Sequence, residues 1–434
     1  MSGLVKNNDE LPEGWIIKKL DDACNIIMGQ SPPGNTYNKD KSGLPFFQGK
    51  AEFGVRYPTV VKWCSKPKKV AYKNDVLISV RAPVGPTNIA SSDCCIGRGL
   101  AVIRPLEGTD YLYVFYYLRS IEHELAQMGT GSTFKAISGS DLKSLLFPVA
   151  PTNEQHLIVS ELEKQFSRLD EAVAALKRIK ANLKRYKTSV LKTAVEGKLT
   201  EEWRKENQIS DLTQDKKLRA NNLPINWTWK KVSDLGDVVT GTTQTKAKRE
   251  YYNSKDYPFF KPTDLNDGYY VKKSEDGLSK EGIEKARLLP TKSILVTCIG
   301  ATIGKTGLIR VSGAFNQQIN AIIPQKDVLP EFVYFVCISP QFQKSIIDNA
   351  SATTLPILNK SKFEILTMPM PPLIEQQKIV EEIESRLSVA KEIEETIDIN
   401  LKRAERLRQS VLKEAFSGKL VPQEHNKETA GKLN

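Results

Sequence analysis

The sequence is poor in the residues that build metal and redox chemistry. Its three histidines, His123, His156 and His425, lie in separate contexts, without H-E-x-x-H or any other paired metal spacing. Six cysteines (Cys24, Cys64, Cys94, Cys95, Cys298, Cys337) include no C-x-x-C pair, so neither a zinc cluster nor a disulfide framework is signalled. No run reaches the ~18 apolar residues of a membrane span. The opening MSGLVKNNDELPEGW lacks the apolar stretch of a secretory signal, and a cytoplasmic protein is expected. Neither a G-x-S-x-G elbow nor the kinase signature set is present. What remains is a chain of 434 residues, 40% hydrophobic and 26% charged, which fits two to four folded domains. Its 63 Lys+Arg against 51 Asp+Glu give a net charge of +12, which favours a polyanionic partner without bearing on the fold.

The chain is written twice. LPEGWIIKKLDDACNIIMG from Leu11 returns as LPINWTWKKVSDLGDVVTG from Leu223, and LPFFQGKAEFG from Leu44 as YPFFKPTDLNDG from Tyr257. VLISVRAPVG from Val76 is echoed by ILVTCIGATIG from Ile294, and FPVAPTNEQHLIV from Phe147 by MPMPPLIEQQKIV from Met368. SVLKTAVEGKL from Ser189 matches SVLKEAFSGKL from Ser410. Chance similarity does not keep this order along a whole chain, so each half folds on one plan.

Each half begins with mixed β-type runs and turn punctuation. Strands are expected at 76–80, 100–103, 294–298 and 319–323, and one short helical pattern per half at Tyr111 and at Glu331. Prolines 148 and 151, then 369, 371 and 372, end these blocks. From Glu154 to Glu196 and from Glu375 to Ser417 there is neither proline nor glycine, and Gly197 and Gly418 follow where a helix wants a left-handed stop. Apolar residues in these stretches alternate by four and three: Leu162, Phe166, Leu169, Val173, Leu176, Leu183 and Val190, then Ile383, Leu387, Ile397, Leu401 and Val411. This is a heptad seam, imperfect at Lys180, Lys187, Glu394 and Arg408. Two long helices lying on their own domains would be the plain alternative. The length of the stripe favours the helices packing on each other. The expected fold is α+β, with two similar globular domains separated by a long antiparallel two-helix coiled coil and an internal pseudo-twofold repeat. Its parts are a domain at 1–150, a long helix at 151–200, a linker at 201–222, a second domain at 223–371, a second long helix at 372–420 and a polar tail at 421–434.

One motif imitates a nucleotide site. Residues 299–306, IGATIGKT, follow a strand, yet Gly300 and Gly304 enclose three residues where a phosphate-binding loop has four, and a strand pattern follows instead of a helix. The turn reading is preferred. The other constellations suit DNA. Polar and basic residues gather at the turns of each domain: Gln30, Ser31, Gln48, Lys50, Arg81, Arg98, Ser132, Thr133 and Lys135 in the first, and Thr243, Lys261, Lys305, Gln317, Gln318, Asn320, Thr353 and Thr354 in the second. Arg, Lys, Gln and Asn contact base edges, whereas Ser, Thr and backbone amides hold phosphates. Residues 177–187 carry six positive charges that could follow a phosphate backbone, or form a solvated helix face.

These motifs have a family likeness. GQSPP at 29–33, FQGKAEFG at 47–54, VRAPVGPTN at 80–88, TGSTFKAIS at 130–138, the Pro-x-x-Glu-Gln helix starts at Glu154 and Glu375 and the Gly-Lys-Leu closures at Gly197 and Gly418 resemble DNA-specificity subunits of type I restriction–modification enzymes. The resemblance covers the chain to about residue 420. It implies that the globular blocks are target-recognition domains, each reading half of a split, asymmetric sequence in double-stranded DNA. The long helices would space them and dock two methyltransferase subunits, with motor-nuclease subunits joining for cleavage. It implies that no cofactor is bound by this chain, S-adenosylmethionine, ATP and Mg belonging to the partners, and that the chain is not itself an enzyme. The residues agree: no Asp/Asn-Pro-Pro-Tyr/Phe tetrapeptide for a flipped adenine is present. The second half departs from the pattern, TTQT and IGATIG replacing SPPG and RAPVG, so the halves are expected to read different sequences. The competing reading is a coiled-coil scaffold whose globular ends bind protein or RNA.

Overall fold

A computed structural model describes residues 11–130, 135–207, 223–244, 248–351 and 355–422. The chain divides into two compact units, one of residues Met1–Leu176 with Asp398–Asn434, the other of Lys177–Ile397.

In the first unit a four-stranded antiparallel sheet runs in the order Cys24–Met28, Leu100–Pro105, Val76–Ser79, Thr87–Ile89. The second unit repeats it with Gly236–Thr240, Ile319–Pro324, Ile294–Thr297 and Thr306–Leu308. The central strands read as unbroken apolar runs because both faces are covered. Ala101 and Ile103 face the helices, while Leu100 and Val102 face a second sheet. Ile322 and Ile319 divide in the same way in the other unit. In each second sheet one strand pairs in parallel with a later one: Leu44–Phe47 with Cys94–Ile96, and Tyr257–Phe260 with Gly313–Phe315. A two-stranded ribbon closes each block, Ile16–Lys19 on Leu146–Val149 and Thr228–Lys231 on Thr367–Met370.

The anticipated short helices are Tyr111–Ser120, capped by Asp110 at the amides of Leu112 and Tyr113, and Pro330–Cys337. Each unit has more helix than the sequence led us to expect. Glu122–Met128 and Pro340–Asn349 follow directly, and neither was anticipated. The segment expected to be a linker opens with a helix, Glu201–Glu206, whose Arg204 is buried.

The first long helix spans Thr152–Val195 and the second Leu373–Phe416, 44 residues each, roughly 66 Å at ~1.5 Å per residue. The core of the first unit takes in Ile158, Leu162 and Phe166 from the start of the first helix with Val411, Leu412 and Phe416 from the end of the second. The core of the second unit takes in Val190 and Ala194 with Ile379 and Ile383. In each unit, therefore, the start of one long helix meets the end of the other, an antiparallel pairing. Leu162, Phe166, Val190, Ile383, Ile397 and Val411 are buried, whereas Leu169, Val173, Leu176, Leu183, Leu387 and Leu401 are half-buried, as in a seam with one partner helix.

The flaws in the heptad pattern have partners. Lys187 pairs with Glu394 in the second unit. In the first, Arg408 pairs with Asp170 and lies 4.5 Å above the Phe166 ring. Both helices stop at a glycine with φ of +70°. A Cβ on Gly197 would lie 2.2 Å from Cγ of Pro224, and one on Gly418 2.1 Å from Cγ of Pro12, so any larger residue would clash as well as strain the backbone. No helix among the described residues is long and apolar enough to cross a membrane.

Candidate nucleic-acid interface

The Pro-x-x-Glu-Gln motif fixes each long helix to its own globular block. Gln155 is fully buried; its Oε1 accepts from the Asp110 amide at 2.8 Å and its Nε2 donates to Ala150 and Gly108 carbonyls at 2.7 and 3.0 Å. Gln376 repeats this, accepting from the Leu329 amide at 2.8 Å and donating to the Pro371 carbonyl at 2.9 Å. The neighbouring Glu375 is buried among donors: Arg204, Thr200 Oγ1 at 2.7 Å and Trp227 Nε1 at 2.9 Å. Each oxygen of this buried carboxylate therefore has a partner, as a polar group out of water requires.

On that frame, the strands of each block end at one polar edge. In the first unit Gln30 and Ser31 follow the strand Cys24–Met28, Gln48 follows Leu44–Phe47, and Arg98 sits in the turn between Cys94–Ile96 and Leu100–Pro105. They meet there. Gln48 Nε2 donates to Ser31 Oγ at 2.9 Å, and Ser31 Oγ accepts from the Arg98 amide at 3.2 Å. The backbone is tight, since a Cβ on Gly97 would stand 2.8 Å from the Gln48 side chain and one on Gly29 2.2 Å from the Gly97 carbonyl. Arg98 and Gln30 are exposed, whereas Ser31 and Gln48 are half-buried.

The second unit rebuilds this edge with other side chains. The turn between Gly313–Phe315 and Ile319–Pro324 carries Gln317 where the first unit has Arg98, Thr243 takes the place of Ser31, and Lys261 follows Tyr257–Phe260 where Gln48 follows its strand. Thr243 Oγ1 donates to Gln317 Oε1. Lys261 is paired with Asp276. Gln318 accepts from Asn316 Nδ2 at 3.0 Å.

Beside each edge lies a second turn. Arg81, exposed, bridges to Ala136, and the Lys135 carbonyl accepts from the Ala82 amide at 3.0 Å. In the second unit Ile299 bridges to Ile357. The two turns adjoin, since Val80 donates to the Gly99 carbonyl and Cys298 to the Gln318 carbonyl. Lys50 is exposed on the turn after Gln48. Ser132, Thr133, Thr353 and Thr354 lie outside the described residues.

Two of the expected contacts are positioned otherwise. Asn320 lies within a strand, 2% exposed, its amide oxygen accepting from Thr240 Oγ1 at 2.7 Å, so it shapes the edge and cannot reach a base as it stands. Lys305 donates to the Pro262 carbonyl at 2.9 Å and braces the backbone after Lys261. The 299–306 segment is a pair of turns with left-handed Gly300 and Gly304, followed by the strand Thr306–Leu308. Sequence reasoning passed over Gln244 and Arg287, which bond at the same edge to the Lys285 and Thr240 carbonyls. Only the polar run TTQT hinted at the former. Among the described residues no cluster of His, Cys, Asp or Glu could hold a metal ion.

The arrangement suits reading, since side chains with paired donors and acceptors project from rigid turns instead of enclosing a reaction centre. Comparison with known proteins accords with it. The family profile described as type I restriction modification DNA specificity domain matches residues 12–185 and again 224–403. The putative MjaX specificity subunit of Methanocaldococcus jannaschii is 42% identical over 193 residues, a match spanning 44% of this chain and 44% of that relative. The EcoBI specificity subunit of Escherichia coli is 24% identical over 98% of this chain and 89% of its own length. The HsdS subunit of Thermoanaerobacter tengcongensis shares the fold with TM-score 0.59 at 18% identity, over 94% of this chain and 98% of that one. A chain solved in work on complex assembly and conformational transition of the type I R-M system gives TM-score 0.73 at 17% identity, over 94% and 99%. With the profile matching both repeats, the chain belongs to the type I restriction-modification DNA specificity family.

Proposed function

We propose that this chain is the sequence-reading, non-catalytic subunit of a type I restriction–modification complex. Each globular block reads one half of a split, asymmetric site in double-stranded DNA. The paired long helices set the spacer between the halves and dock two methyltransferase subunits, and motor-nuclease subunits join for cleavage. S-adenosylmethionine, ATP and Mg act on those partners. The observation that carries this reading is the polar edge at one position in both repeats, Ser31–Gln48–Arg98 and Thr243–Lys261–Gln317, on equivalent strands with different side chains. Different side chains on one frame present different donor and acceptor patterns to base pairs, which gives two unlike half-sites. Twelve excess positive charges supply the unspecific attraction to phosphates. Mapping methylated bases across a genome with and without the gene tests this. A split motif that disappears on deletion supports it, and an unchanged methylation pattern overturns it.

A further inference from the structure

Each block has a loop that starts at the polar edge and ends on a long helix. In the first unit the loop leaves Gln48 and Lys50 and reaches Arg56, whose Nη2 lies 2.7 Å from Oε1 of Glu163 on the first long helix. In the second unit it leaves Lys261 and reaches Tyr269, whose hydroxyl donates to Glu384 on the second long helix. Arg56 and Tyr269 each stand eight residues beyond Gln48 and Lys261, and Glu163 and Glu384 each stand eight beyond the buried Gln155 and Gln376. The contact therefore recurs at one repeat position although its chemistry has changed from guanidinium–carboxylate to phenol–carboxylate.

Both loops are stiff. Asn88 clamps Gly54, accepting from its amide at 3.2 Å and donating to its carbonyl at 2.9 Å, and the Arg56 carbonyl accepts from the Ile89 amide at 2.9 Å. Asp264 ties the amides of Lys261 and Glu275 at 2.7 and 2.9 Å. Arg310 donates to the Tyr269 carbonyl at 3.2 Å, lies 4.7 Å over its ring and pairs with Glu331 at 2.9 Å. An incidental surface pair would recur neither in place nor in bracing.

We infer that Glu163 with Arg56, and Glu384 with Tyr269, are positioning contacts that hold each block's reading edge at a fixed angle to its own long-helix segment, and so keep the spacer in the DNA site strict. The inference rests on the reading proposed above. None of the four side chains belongs to the polar edge, so half-site identity is expected to survive their loss.

The test uses the full chain with its partners in cells whose methylated bases are mapped. Glu163→Ala combined with Tyr269→Phe should leave both half-sites unchanged and raise modification of sites one base pair off the normal spacing by about tenfold, the scale of one contact. Arg56→Glu with Glu163→Arg, which restores the pair with its charges exchanged, should bring the strict spacing back relative to Glu163→Arg alone. Strict spacing in the first double variant overturns the inference, as does relaxed base identity within a half-site or spacing still loose in the exchanged pair. Should Glu163→Ala fail to fold, the isosteric Glu163→Gln gives the same comparison. If the wild-type chain yields no split motif, the functional reading itself fails, an outcome distinct from any of these.

Discussion

The two polar edges sit on nearly the same scaffold and share little of their surface chemistry. Beneath them, Phe47 and Phe260, Ile103 and Ile322, and Val76 and Ile294 hold equivalent buried places. At the tips, Arg98 becomes Gln317, Ser31 becomes Thr243 and Gln48 becomes Lys261. Packing density explains the contrast: a buried position tolerates little change in volume, whereas an exposed turn can change its donors and acceptors at small cost to the fold. Surface chemistry can thus diverge between the halves while the frame stays put.

The same comparison can be strained where the frames differ. Glu375, with Arg204, Thr200 and Trp227, forms a buried polar knot in the second unit. In the first unit the indole Nε1 of Trp15, at the place of Trp227, has no protein partner among the described residues. Glu375→Ala strands a buried guanidinium and should cost ~3–5 kcal/mol, concentrated in the second unit. Denaturant unfolding followed by hydrogen exchange would show it, and equal loss of protection in both units would contradict it.

Smaller and more specific effects are expected at the tips. Arg98→Ala should relax one position of a single half-site, by ~1–3 kcal/mol of discrimination, and Gln317→Ala should do so only in the other half. Motif mapping with each variant checks this, and a change in both halves would show that the edges do not read independently. Replacing Lys187 and Glu394 together by methionine should move the melting temperature little in either direction, because the pair is about 30% and 27% exposed and worth at most ~1 kcal/mol. Lys187→Met alone should do more harm than the double change.

Alkaline pH should separate the units most weakly. Burial pushes the thiols of Cys24, Cys94 and Cys95 in the first unit, and of Cys298 in the second, up to about 12, and raises that of Cys337 in the second as well, three thiols against two. Unfolded thiols release their protons near ~8.5, so the stabilisation from keeping them protonated is complete below that pH and is lost as pH rises towards 12. Hydrogen exchange between pH 8 and 11 should show protection falling faster in the first unit.

Much of the frame was legible in the sequence because it follows from long-range patterns. The repeat placed both blocks, proline and glycine bounded the long helices, and alternation by four and three marked their seam. The seam's flaws were visible as polar residues at apolar positions. That Lys187 and Glu394 answer each other could not be read, since their proximity arises only when the helices pair. The polar edge was legible as a set of turn residues and not as a geometry. Asn320 was misjudged because a strand residue's exposure depends on its neighbouring strand, here the one carrying Thr240. Arg204 and Glu375, 171 residues apart, gave no local signal of their contact.

The division of the chain has a consequence for biosynthesis. Residues 177–397 are contiguous and can fold as soon as they leave the ribosome, whereas the first unit needs residues 398–420 from the far end, among them Leu412, Phe416 and the Gly418 that Pro12 covers. The block synthesised first is thus the last able to close. Until then its aromatic floor of Tyr113, Tyr117 and Phe147 lacks the Phe416 ring, and a nascent chain arrested before that point would carry a finished second block and an open first one.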